Sequence, residues 1–240
     1  MSHLSGATQV AAQDLFVSSS NRNTKLGALA TTGDGRFYRY ASLGAVAAVP
    51  GKLYQAAAEL TNHQNLAPTA DAAVGDTSVT VTLGATAATA NYYAGGFAMV
   101  TTSTGAGFMY EIASHPAADS AATLKLTLVD PLATTLASAS SKIDLIPNPF
   151  SATVVNPTTA TSAPVGAAVH AVAVSEYGFL QVSGPTSLLA DGAVVVGTNV
   201  AASNATAGAV EAHTGVQALV GRALAGIATT QYGAIYLTLG

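Results

Sequence analysis

EYGFLQVSGP (176–185) opens a run that continues through LLADGAVVVGTNV (188–200) and GRALAGI (221–227) to YGAIYLTLG (232–240). Its apolar residues alternate over strand-length pieces, and glycine separates one piece from the next. In the last piece Ile235, Leu237 and Leu239 fall on one face and Tyr236 and Thr238 on the other, the period-2 pattern of a half-buried strand. The block therefore predicts strands near 168–174, 177–183, 193–197, 217–224 and 233–239. It advertises surfaces to be packed, not a pocket for chemistry.

Working outward, the same texture recurs in the middle of the chain. SVTVTL (78–83) alternates strictly, NYYAGGFAMVTT (91–102) holds a Gly95-Gly96 turn, and GAGFMYEIASH (105–115) is strand length. In LKLTLVD (124–130), Leu124, Leu126 and Leu128 share one face and Lys125 and Thr127 the other. PLATTLASASSK (131–142) suits one short helix before the strand KIDLIP (142–147), which its prolines end. Towards the N-terminus, Gly33-Asp34-Gly35 forms a turn entering an aromatic strand that ends near Gly44. VPGKLYQAAAEL (49–60) fits a helical stripe or a strand start, and the all-β context favours the strand. SSSNRNT (18–24) has the composition of a loop or extended arm.

Short strands at eight-to-twelve-residue spacing predict an all-β fold of two small β-sandwich or barrel-like modules. Proline, threonine and serine mark a connection after Phe150. The expected organisation is an N-terminal arm (1–24), a base domain made of 25–68 with 163–240, an inserted domain (69–150) and a linker (151–162).

Half of the 240 residues are hydrophobic, yet only 8% are charged, against roughly 25% in ordinary soluble domains. Most of the surface must then be Ala, Thr, Ser, Asn and Gly. Charge is what keeps small domains apart, so obligate assembly is the natural expectation. No apolar run reaches the roughly twenty residues of a membrane-spanning helix, and the N-terminus lacks the pattern of a secretory signal. Synthesis in a cytoplasm, with no membrane partner, is expected. There is no cysteine, which excludes disulfides, thiolate metal sites and cysteine nucleophiles.

The net charge of −4 is unevenly spread. Residues 1–52 carry Arg22, Lys25, Arg36, Arg39 and Lys52 against Asp14 and Asp34, while three basic residues face ten carboxylates in the remainder. The bias is either chance in a charge-poor chain or the mark of a segment that faces an acidic partner.

Catalytic patterns are absent from the sequence. His3, His63, His115, His170 and His213 lack metal-ligand spacing. No serine stands in a nucleophile elbow, and Gly105-Ala106-Gly107 lacks the lysine and helix of a phosphate cradle. Arg36-Phe37-Tyr38-Arg39-Tyr40 is the one basic-aromatic cluster that suits nucleic acid. It reads better as strand residues packing in a core or subunit interface, because phosphate affinity needs several cationic contacts and the chain is acidic overall. No cofactor and no nucleic acid are expected.

DGRFYRYASLGAVAAVPGKLYQ (34–55), GDTSVTVTLG (75–84) with NYYAGGFAMV and GFMYEI, and YGFLQVSGPTSLLADG (177–192) with ALVGRALAG (218–226) and YGAIYLTL (232–239) together resemble tailed-bacteriophage virion structural proteins, head decoration or cement proteins in particular. The resemblance spans most of residues 33–240. It implies a non-enzymatic β-rich protein, often a homotrimer, that binds the major capsid protein on the outer surface of an assembled shell. It brings no catalytic residues. Within that expectation, Arg22, Lys25, Arg36, Phe37, Tyr38, Arg39 and Tyr40 are the candidate contacts with capsid or with other copies. A tail, neck or fibre component is an alternative. So is a host-surface or carbohydrate-binding module using Tyr54, Tyr92, Tyr93 or Tyr110 as stacking platforms.

Overall fold

Sixteen strands and two short 3-10 turns, with no α-helix, make up the regular structure of residues 8–239, the part of the chain that the computed structural model describes. In chain order the first four strands are β1 (Thr8–Gln9), β2 (Leu29–Thr31), β3 (Phe37–Ser42) and β4 (Leu53–Gln55). Then come β5 (Ser78–Thr82), β6 (Phe97–Thr102), β7 (Met109–Ser114), β8 (Thr123–Leu128) and β9 (Lys142–Ile146). The last seven are β10 (Val154–Val155), β11 (Pro164–Ala168), β12 (Tyr177–Leu189), β13 (Asn199–Ala202), β14 (Val210–Ala212), β15 (Leu219–Ala223) and β16 (Tyr232–Thr238). The protein is all-β, and it divides into two units: Met1–Ala58 with Pro149–Gly240, and Glu59–Asn148.

The inserted unit is a sheet in the order β5-β8-β7-β6-β9. Its two edges are joined by a short segment, in which Leu66 bridges Ile143 of β9 and Pro68 bridges Val81 of β5. Leu66 and Ile143 exchange both backbone hydrogen bonds at 2.9 Å, and Thr69 N donates to Thr80 O at 2.8 Å. Closure removes both sheet edges, which would otherwise offer unpaired backbone groups to other chains. It also moves the domain boundary: 59–68 belongs to this unit because its apolar residue Leu66 completes the wall and is buried in the core. Inside, Leu124, Leu126 and Leu128 point inward as their alternation requires, against Val79, Val81, Ile112, Ile143 and Leu145.

PLATTLASASSK forms no helix. Leu132 and Leu136, one helical turn apart in sequence, are both buried from an irregular extended segment in which Leu136 bridges Ala72. Thr and Ser are weak helix formers, so burial decides the conformation.

The other unit is organised by β12, thirteen residues long. Its first half pairs with β3 and β11 and its second half, from Ser183, with β16. The predicted strand 177–183 thus runs on through Gly184-Pro185. A register shift between Gln181 and Ser183 absorbs the irregularity. The buried Gln181 amide donates to Ser183 O (3.1 Å) and Pro185 O (2.9 Å), supplying donors where the ladder is interrupted. Gly184 has φ +89°, and a Cβ there would lie 2.6 Å from Gly35 O, so both conformation and space require glycine.

The segments expected to lie outside a domain are built into this unit. Residues 1–7 of the predicted arm fall outside the described residues. Thr8–Gln9 pairs in parallel with β2, and Leu15 is fully buried beside Ala30 and Tyr38. In the predicted linker 151–162, Val154 and Val155 pair with β4, and Thr153 and Asn156 are buried.

One connection recurs in both units. In seven of the eight arms an apolar residue bridges another connection, two exposed residues follow, and a residue with positive φ then leads towards the next strand; the Leu136 arm departs from this. The bridges are Ala48–Val172 and Val194–Ile227 in one unit, and Ala72–Leu136 and Ala88–Ala118 in the other. The left-handed positions are Gly51, Ser175, Gly197, Thr230, Gly75, Asn91 and Ala121. Within three of the four bridges the two arms tie to each other's approach. Gly51 N donates to Ala168 O and Ser175 N to Gly44 O, while Gly197 N donates to Ala223 O and Thr230 N to Ala190 O. These reciprocal bonds hold Ser175, Thr230 and Ala121 in a conformation that L-residues adopt at a cost of about 1–2 kcal/mol. Two strands expected from apolar runs, 168–174 and 193–197, are such turns. The strands beside them are Pro164–Ala168 and Asn199–Ala202.

Candidate functional site

β3 places the predicted contact cluster by strict alternation. Tyr38 and Tyr40 point inward and are buried, whereas Phe37 and Arg39 are half-buried on the other face. Tyr38 joins Leu15 and Ala30 in a small core. The Tyr40 ring stacks on Tyr177 (5.9 Å) and meets Phe179 edge-on (5.2 Å), and its hydroxyl accepts from Asn23 N. Both tyrosines are nearly fully buried, although Tyr40 lines a cleft with Asn23, Tyr177 and Phe179.

The cationic members of the cluster are largely engaged within the chain. Arg36 pairs with Asp34 at 2.7 Å, and this contact holds the Asp34 carboxyl well below the usual carboxylate range. Arg39 donates to Gly27 O at 2.8 Å and lies over the Phe150 ring at 5.6 Å. Arg22 donates to Thr24 O, and Lys25 is exposed. The seven residues do not converge on one surface. Alternation alone was the signal that separates Tyr38 and Tyr40 from Phe37 and Arg39.

The four tyrosines offered as stacking platforms are also internal: Tyr54, Tyr93 and Tyr110 are buried and Tyr92 is half-buried. Tyr93 sits in a hydrogen-bonded histidine pair. His63 Nε2 donates to Thr86 O (2.8 Å), so Nδ1 is left to accept from the Tyr93 hydroxyl. His115 Nε2 accepts from Tyr93 N (2.9 Å) while its Nδ1–H donates to Pro116 O (2.7 Å). The His115 ring is fixed as its Nδ1–H tautomer, because Nε2 must be unprotonated to accept from Tyr93 N. Burial, and then the neighbouring His63, lowers the His115 imidazole below its ordinary value. This is a structural network, with no open position for a substrate. Among the described residues no group of three or more His, Asp or Glu side chains is placed to hold a metal ion, and no helix is long and apolar enough to cross a membrane.

The surface with interface character lies instead on the outer face of β12, β16, β15 and β13. The register sets Pro185 opposite Tyr236, Tyr236 opposite Arg222, and Arg222 opposite Asn199. Tyr236 is 42% exposed and Leu219 and Leu224 about half, beside a shallow cleft of about 360 Å³. Arg222 Nε donates to Asn199 Oδ1 at 3.2 Å, and no carboxylate among the described residues pairs with it. Tyrosine and arginine are the residue types that dominate binding energy at protein interfaces. This row was legible as an outward face of the last strand, but its cross-strand neighbours come only from the register. The chain matches no family model, no curated protein and no solved structure, so its own residues carry what can be argued of its function.

Proposed function

We propose that the chain is a non-enzymatic virion structural protein, a decoration or cement protein that binds the outside of an assembled phage capsid as an oligomer, with homotrimer the expected state. The observation that supports this reading most is the charge-poor outer face carrying Tyr236, Leu219, Leu224 and Arg222. Such a face suits repeated protein–protein contact, and its single cation suits an acidic partner surface. The paired connections present further apolar side chains, since Val49, Val74, Val174, Val195 and Val196 occupy their exposed positions. Many weak contacts repeated over a shell lattice gain avidity.

Cryo-electron microscopy of virions that carry the chain tests the proposal. Copies at every capsomer junction are expected, with the Tyr236–Arg222 face against capsid or a neighbouring copy. Density confined to the tail or neck, or none in the particle, overturns it. In solution, sedimentation velocity should show a trimer that Arg222→Glu with Tyr236→Ala dissociates.

A further inference from the structure

We propose a binding site for a neutral sugar ring in the cleft between the Ala12–Phe16 turn and β12, a role that does not depend on capsid binding. The cleft has a volume of about 420 Å³, within the range of small-molecule sites. Two half-exposed aromatic rings line it, Phe16 (51%) and Tyr232 (54%), together with Arg36, Gln181 and Ser187.

Each of these groups except Ser187 is held by a neighbour. The Tyr232 ring lies over Gly51, where a Cβ would sit 2.5 Å from the ring. Phe16 meets His170 edge-on at 6.2 Å. Arg36 is oriented by Asp34, to which its Nε also donates at 2.8 Å. At the base, Gln181 is only 1% exposed and spends its amide hydrogens on Ser183 O and Pro185 O. With both amide hydrogens so used, Oε1 is the polar atom of Gln181 that remains to accept.

The chemistry of the ligand follows from this set. Aromatic faces take the apolar C–H face of a sugar, Gln181 Oε1 accepts from a hydroxyl, and Arg36 and Ser187 can donate to ring or hydroxyl oxygens. Because Asp34 neutralises Arg36 and no other charged side chain lines the cleft, a neutral ring fits better than an anionic or cationic one.

The test is a glycan array of neutral and acidic glycans probed with the full chain and with Tyr232→Ala, which removes only a half-exposed ring. Neutral glycans should bind, and Tyr232→Ala should weaken binding about tenfold. Titrating a bound glycan's methyl glycoside into 15N-labelled protein should then shift the Gln181 side-chain amide and the Arg36 Nε resonance saturably. Absence of binding on the array, equal binding by Tyr232→Ala, or an equal response of those resonances to adenosine overturns the proposal.

Discussion

The two units solve the same problem, burying an Ala- and Val-rich chain with almost no charge, in different ways. The inserted unit closes its sheet and gathers one continuous core, running from Leu66 to Leu145 in sequence. The other unit strings three smaller apolar clusters along the long strand β12: one around Leu188 and Ile235, one around Leu180 and Tyr54, and one around Leu15 and Tyr38. A closed wall needs no second layer to cover it. A sheet that branches at β12 leaves one face outward, and that face carries both the Tyr236–Arg222 row and the sugar-sized cleft. In this molecule the closed unit is the better candidate for rigidity and the branched unit for contact.

The largest effect that tests this contrast is expected from Leu126→Ala. Leu126 is fully buried on β8, with neighbours on the inner face of the closed sheet. Removing its side chain should destabilise the inserted unit by about 2–5 kcal/mol, because a closed wall collapses poorly around a cavity. Hydrogen exchange at each denaturant concentration should show early opening of β5–β9 while protection in β12 and β16 is retained. Simultaneous loss in both units would mean that they form one cooperative structure.

Much of this fold was legible. The Leu124, Leu126, Leu128 alternation and the Ile235, Leu237 pair placed inner faces correctly, since period 2 reports burial directly. What escaped was set by pairing rather than by pattern. AVAV (171–174) and AVVVG (193–197) are apolar enough to read as strands, yet each contributes one bridging residue, Val172 or Val194, before a left-handed turn. The available signal was an apolar residue three positions before Gly, Ser, Thr or Asn, as in Val194-Val195-Val196-Gly197. Gly184-Pro185 looked like a strand end because the bulge that accommodates it depends on Gln181 and on Gly35 from a distant turn. For the site, composition pointed to Arg36–Tyr40 as a unit, and alternation then split it. Gln181, the most informative polar residue of the cleft, carries no sequence mark at all.

An intermediate effect is expected at Tyr93. Tyr93→Phe keeps the ring and removes the hydroxyl that donates to His63 Nδ1, leaving a buried acceptor without a donor. The loss should be about 1–3 kcal/mol, read by urea unfolding of the purified protein. Its effect should be confined to the inserted unit, where His63, Tyr93 and His115 meet. A neutral result would show that water replaces the hydroxyl and that the closed wall is more permeable than its burial indicates.

The smallest effect contrasts the two units through their buried histidines. His115 has a partner on each ring nitrogen, whereas among the described residues neither nitrogen of His170 is in hydrogen-bond geometry with a partner. In both, burial is the main force that lowers the imidazole below its ordinary value; at His170 the nearby Val17 backbone offsets part of it. A depressed folded pKa means that the unfolded chain takes up the proton first. The stability these groups contribute is therefore complete above the unfolded value of about 6.5, and is lost as pH falls from there through the folded values. At His115 the added proton on Nε2 would face Tyr93 N–H, so acid should loosen the inserted unit around Tyr93. At His170 only desolvation opposes the proton. His170→Leu removes both unpaired nitrogens at similar volume, and should stabilise the branched unit by about 1 kcal/mol at neutral pH. It should also flatten that unit's acid limb while leaving the acid limb of the inserted unit unchanged. Unfolding curves at pH 7.5 and pH 5, followed by hydrogen exchange in each unit, separate the two; a His170→Leu protein with an unaltered acid limb would assign the proton uptake elsewhere.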